Sequence, residues 1–293
     1  MSESNTAPVD ANEAAQGSAN KWLALAAMMF AVSMMFIDQT IVSIAIPTIQ
    51  TELGLSEAGV QWVINGYLLS LSAFFALGGR LSDILGHKRM VLLGVTIFAV
   101  SSALCGATPD NSFAEAWLIV FRIIQGIGAA LLFPAALAIV VSTFPLKERG
   151  KALALFFGIT GGLTAIGPIM GGYLSEWTWR AIFWVNVPVA IIAIVLTLLA
   201  KVHTQHKREP LDYLGAVLIA AGMAFSVLGL QQASSWGWTD PRTIGSIVLG
   251  LILLDIFVKV ETRVKIPLIK VEIFKDRAFF VDMFLAISSM EGI

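Results

Sequence analysis

Residues Gly78–Met90 read GGRLSDILGHKRM, a stretch dense in charge and glycine between two long apolar runs, Val60–Gly78 and Met90–Ala107. At ~1.5 Å of rise per residue, either run crosses most of a hydrocarbon core of ~30 Å when helical. The linking stretch is short, so the chain must leave one helix and enter the next on the same side of a bilayer. Gly79 and Gly86 permit a tight backbone there, and Asp83 is placed to accept hydrogen bonds from helix-end amides. Arg80, Lys88 and Arg89 hold the turn on one face of the membrane. The stretch is expected to be a loop.

The same reading carried outward finds six more apolar runs: Trp22–Ile46, Ala116–Val141, Ala152–Leu174, Ala181–Ala200, Tyr213–Leu230 and Thr243–Val258. Eight complete spans are therefore expected. A ninth run, Ala278–Ile293, carries Asp282 and Glu291 and is too short to cross alone. Composition agrees. The chain of 293 residues is 57% hydrophobic and 13% charged, about half the charged share of a soluble domain. Its mean hydropathy is +0.82. A disordered chain and a soluble globular fold are excluded. The net charge of −1 gives no field for nucleic acid, and the single Cys105 makes no internal disulfide. The expected solvent is lipid.

Four segments follow. Residues 1–20 are rich in Ala, Ser, Asn and Glu without apolar periodicity and are expected to form a disordered cytoplasmic tail. A secretory leader is disfavoured, because Glu3, Asp10 and Glu13 precede Lys21 and the apolar run is too long. Residues 21–200 hold six spans and 201–260 two more. Residues 261–293 combine a basic, partly apolar stretch suited to the inner leaflet with the start of a ninth helix. With the N-terminus inside, sixteen of the nineteen Lys and Arg residues fall in inner segments. Only Arg180 and Arg242 fall outside, and Arg122 lies within a span. That bias sets the orientation. Trp62, Trp117, Trp177, Trp179, Trp236 and Trp238 are expected at the outer interface.

Five strings, taken together and in order, resemble the major facilitator superfamily. GGRLSDILGHKRM resembles the signature loop between its second and third helices. FIDQTIVSIAIPTI (Phe36–Ile49) is similar to the first-helix motif of the fourteen-span drug:proton antiporters. FRIIQGIGAA (Phe121–Ala130) resembles the fourth-helix motif, GPIMGG (Gly167–Gly172) the core of the fifth-helix antiporter motif, and WRAIFWVNVP (Trp179–Pro188) the entry of the sixth helix in the EmrB/QacA-type branch. In the longer fifth-helix motif a glycine stands four positions before Gly167, where this chain has Leu163.

The resemblance implies an all-α polytopic membrane protein: a six-helix N-terminal bundle of major facilitator type, two additional transmembrane helices and a partial ninth. It implies a transporter in the cell membrane that exports small amphipathic compounds in exchange for protons by alternating access. Its partners would be a small-molecule substrate, protons and the bilayer, with no cofactor. The second bundle that such a cycle needs is expected from a missing C-terminal half or a homodimer. A different reading is a non-transporting fragment of such a protein. A membrane enzyme is disfavoured, because no G-x-S-x-G, H-E-x-x-H or Walker string occurs.

Two charges lie deep in spans. Asp38 and Arg122 fall at similar distances toward the outer side. A carboxylate facing lipid costs about 2.5–3.5 kcal/mol on insertion scales, so Asp38 should face a cavity or a partner. Either the two form a proton-coupling pair, or they are an ion pair that locks the bundle. Gly126 and the run Gly158, Gly162, Gly167, Pro168, Gly171 and Gly172 are candidates for close helix packing and gating. Pro47 is expected to break the first helix. Asp255 should pair with Lys259 one turn on, and His203 and His206, among cations, are expected to be solvated rather than metal ligands.

Overall fold

Apolar runs longer than a bilayer is thick, broken by few charges, leave the backbone one way to satisfy its amides, which is to wind as helix. The structure, a computed structural model, describes residues 11–200, 202 and 212–264. The described helices are α1 (Ala11–Leu53), α2 (Glu57–Leu85), α3 (His87–Gly106), α4 (Ala114–Thr143), α5 (Leu146–Thr164), α6 (Ile166–Trp177), α7 (Ala181–Trp184), α8 (Asn186–Leu199), α9 (Tyr213–Trp236) and α10 (Pro241–Glu261). They make eight spans, with α5 and α6 together forming the fifth and α7 and α8 the sixth.

Both divided spans break for the same reason. A proline ring clashes with the carbonyl four residues before it and brings no amide proton. Pro168 accordingly parts the fifth span at Ala165, and Pro188 parts the sixth at Val185. The carbonyls beside the breaks find side-chain partners on other helices. Thr40 Oγ1 donates to Thr164 O at 3.1 Å, and Ser102 Oγ donates to Phe183 O at 2.8 Å.

The described residues up to 202 belong to one compact unit and 212–264 to another. In the first, α1 packs against α4, α5, α6 and α8, and α4 is clasped by α2 and α3. A core of Met28, Val32, Phe98, Leu132 and Phe156 fills one end, and Ile41, Ile49, Leu118, Trp179 and Phe183 fill the other. Large apolar side chains such as Phe30, Ile169, Ile191 and Leu198 stay exposed, as lipid-facing positions should. In the second unit α9 and α10 form a hairpin. Gly222 lies against Leu254, and Gly250 against Ser226.

Several expectations are corrected. The stretch Gly78–Met90 is not a loop. Helix α2 runs on to Leu85 and α3 starts at His87, so Gly86, at φ 96°, turns the chain alone. Residues 11–20, expected to be irregular, continue α1; the run ANEAAQ suits a helix. Pro47 sits inside α1 without ending it. Trp179 is fully buried; its indole Nε1 donates to Glu52 Oε2 at 2.9 Å in the last turn of α1, and its ring packs on Phe183. Lys259 meets Asp255 at 2.6 Å, as the spacing predicts. The tail before residue 11, His203, His206 and the connector with the ninth run lie outside the described residues.

Candidate functional site

Asp38 is fully buried in the middle of α1. Its Oδ2 accepts from Arg122 Nη1 at 2.5 Å, and its Oδ1 accepts from Gln125 Nε2 at 2.9 Å and Asn186 Nδ2 at 3.0 Å. Arg122 is 2% exposed. The two charges expected at similar depth thus touch directly. A buried pair of this kind persists only where the remaining donors are also satisfied. Arg122 Nε donates to Val63 O at 3.1 Å, Nη1 also reaches Gln125 Oε1 at 2.9 Å, and the guanidinium stacks 4.4 Å from the centre of the Tyr67 ring.

Each element delivers its group for a local reason. Arg122 and Gln125 are three apart on α4, hence on one face. Gly126 brings that face against α2, since a Cβ there would overlap Ser70 Oγ and the Tyr67 carbonyl. Gly94 and Gly128 do the same between α3 and α4. Asn186 opens α8 beside the break that Pro188 imposes, which turns its amide inward. Its Nδ2 also donates to Ser102 Oγ on α3 at 2.9 Å. One hydrogen-bonded chain therefore runs from Val63 O through Arg122, Asp38, Asn186 and Ser102 to Phe183 O. The arrangement holds a carboxylate among fixed donors, out of water and out of lipid. Such a group can bind a proton or a cationic ligand group only if the donors rearrange.

Gln125, Asn186, Ser102 and Tyr67 were not singled out by sequence. Gln125 shows itself by its spacing from Arg122, and Asn186 as a lone amide in an apolar run beside a proline.

The remaining candidates lie elsewhere. Gly79, Arg80 and Asp83 sit on the last turns of α2, with Asp83 exposed, and Lys88 and Arg89 on the first turn of α3. Ser82 Oγ bonds His87 Nδ1 across Gly86 at 2.9 Å. Lys88 Nζ donates to Leu198 O and Ala200 O at 3.3 and 3.1 Å, so it caps the C-terminal end of α8. Of the fifth-span glycines, Gly167 and Gly171 lie against Thr40, Ile41 and Ile44 of α1. Gly158, Gly162 and Gly172 have open space where a Cβ would stand, and Pro168 is exposed. The packing expected of Gly158 and Gly162 is not made among the described residues. Nor do the described residues hold a group of three His, Cys, Asp or Glu side chains able to bind a metal.

The Major Facilitator Superfamily model matches residues 28–290. The chain belongs to that superfamily. It is 39% identical over 257 residues to the tetracenomycin C resistance and export protein of Streptomyces glaucescens, covering 87% of this chain and 47% of that one. It is 36% identical to the puromycin resistance protein of Streptomyces alboniger, covering 89% and 52%. It is 32% identical to a multidrug resistance protein of Mycobacterium tuberculosis (strain CDC 1551 / Oshkosh), covering 88% and 48%. The chain spans about half the length of these relatives. Among solved structures it resembles an auto-inhibited POT family peptide transporter, with a TM-score of 0.55 at 16% identity over 82% of this chain and 51% of that one. That likeness is one of fold. This major facilitator chain is a multi-pass membrane protein.

Proposed function

We propose that the chain forms the proton-binding bundle of an exporter of small amphipathic compounds, of the fourteen-span antiporter type, in the cell membrane with its N-terminus cytoplasmic. One observation carries the reading: a fully buried carboxylate, Asp38, held by Arg122, Gln125 and Asn186 between three helices of a transporter fold. An ionisable group at that depth is costly and marks an ion or substrate path. Relatives named for resistance and export support the direction of transport. Alternating access requires a second bundle facing this one across a midplane site. Either further polypeptide or a second copy of the chain supplies it. Protonation of Asp38 from the outer side then loosens its hold on Arg122, and release inside restores it.

The test uses proteoliposomes holding the chain joined to the second bundle of one of the relatives above, with a fluorescent amphipathic cation as probe. Accumulation should follow an imposed pH gradient, collapse with a protonophore, and be lost in Asp38→Asn. Gradient-driven accumulation at the wild-type rate in Asp38→Asn, or none in the wild type, overturns the reading.

A further inference from the structure

Among the described residues, every polar group bonded to Asp38 is an N–H: Arg122 Nη1, Gln125 Nε2 and Asn186 Nδ2. This suits a carboxylate, which only accepts. A carboxylic acid carries a hydrogen that needs an acceptor of its own. Arg122 has none to offer. The Gln125 oxygen is already engaged by Arg122 Nη1 at 2.9 Å. The Tyr67 hydroxyl is buried and bonds to no described residue, Asp38 included. Asn186 remains. A half-turn of its amide exchanges Nδ2 for Oδ1 at nearly constant volume and presents an acceptor to Asp38 Oδ1.

The same half-turn has a second effect. Nδ2 now stands 2.9 Å from Ser102 Oγ, and that hydroxyl donates to Phe183 O at 2.8 Å. After the turn, two oxygens face each other at that separation and need a hydrogen between them. The nearest is the Ser102 hydroxyl hydrogen, which must leave Phe183 O to supply it. Phe183 is on α7, two residues from the break at Val185. We propose that Asn186 is a two-way amide switch. It donates to ionised Asp38, accepts from protonated Asp38, and in the second state draws Ser102 off the Phe183 carbonyl and loosens the joint between α7 and α8. The step moves one proton from water onto Asp38 Oδ1 and re-routes hydrogen bonds without other covalent change.

Among the described residues, the charged and titratable groups that act on Asp38 are Arg122 on α4, Tyr67 on α2 and Cys105 on α3. Helices α7 and α8 carry none, and α6 meets this part of α1 through Gly167. Asn186 is thus a positioning residue, and the inference rests on the reading that Asp38 takes up a proton.

The chain in lipid nanodiscs, studied by infrared difference spectroscopy between alkaline and acid pH, tests this. The carboxylic C=O band lost in Asp38→Asn identifies Asp38. Hydrogen exchange of residues 181–190 is followed under the same conditions, with Asp38→Asn as the control at each pH. In the wild type, protonation should give a hydrogen-bonded acid band and raise exchange about threefold to tenfold, the factor expected of one lost hydrogen bond. Asn186→Leu should move the band to the free-acid position and abolish the rise. Ser102→Ala leaves the Asp38–Asn186 contact in place, so it should keep the band and abolish the rise; it also decides the matter if Asn186→Leu does not fold. A Ser102→Ala protein that still shows the full rise, or an Asn186→Leu band at the wild-type position, overturns the switch while leaving Asp38 as the proton site. If no band is lost in Asp38→Asn, the proton reading falls and the switch with it.

Discussion

Removing one member of the Asp38–Arg122 pair should cost far more than removing both. Arg122→Met leaves the carboxylate dry, with only two amide donors, since Asp38 is fully buried. Breaking a buried pair from one side costs about 3–5 kcal/mol. Asp38→Leu leaves the guanidinium stranded on Val63 O and Gln125 Oε1 and should cost a similar amount. The double variant leaves no charge. What it loses is the neutral bonding of Gln125, Asn186 and Val63 O, at about 0.6 kcal/mol for each interhelical bond and at most ~1.7. The double should therefore cost about 2–5 kcal/mol, against a sum of about 6–10 for the singles. A coupling of at least about 1 kcal/mol follows. Both groups are shielded from water, so no large screening discount applies. The assay is reversible unfolding of the purified chain in mixed micelles on titration with SDS, followed by far-ultraviolet circular dichroism. Additivity of the two singles within about 0.5 kcal/mol would mean that neither charge depends on the other for its burial.

Two further outcomes are expected. Gly126→Val should destabilise the fold or prevent insertion, because even the first added carbon overlaps Ser70 Oγ and the Tyr67 carbonyl; Gly158→Ala and Gly162→Ala, with open space around both, should be neutral or gain up to about 1 kcal/mol of helix preference in the same SDS titration. For topology, a Cys105→Ala background carrying a cysteine at Asp110 should react with an impermeant maleimide added to whole cells, and one carrying it at Lys147 should react only after lysis; labelling of the Lys147 site in sealed cells would reverse the proposed orientation.

The spans were legible because apolar length is a one-dimensional property. A run of about 20 residues needs no knowledge of its neighbours to be recognised. The depth of Asp38 and Arg122 was legible for the same reason, as rise per residue places each along its own helix. Rotation about the helix axis was not. It decides that Gly167 meets Thr40 while Gly158 meets nothing, although the two look alike in sequence. It also hides the partners of Asp38. Ser102 lies in a run that reads as ordinary lipid-spanning helix, and only its place opposite Asn186 gives it a role. The burial of Trp179 was hidden in the same way. Its ring is fully buried while its Nε1 donates to Glu52, an exposed residue in the last turn of α1.

The two proline breaks bear on the same stretch of α1. A proline in a membrane span frees a carbonyl that lipid cannot satisfy, so a polar side chain on a neighbouring helix must do so. Thr40 takes that role for the fifth span and lies half a turn from Asp38. In the sixth span Ser102 bonds the carbonyl of Phe183, next to the Trp184 carbonyl that Pro188 leaves without an amide, and reaches Asp38 through Asn186. Both weak points in the bundle are therefore tied to the stretch of α1 that carries its buried charge. A change in that charge acts where the helices are already interrupted, and there a lost hydrogen bond has no intact backbone ladder to absorb it. Pro47 and Pro134 lie within helices that continue through them and offer no such joint. Substituting Pro188 by alanine should accordingly let the sixth span close its ladder, and hydrogen exchange of residues 181–190 should then be slow in either protonation state of Asp38.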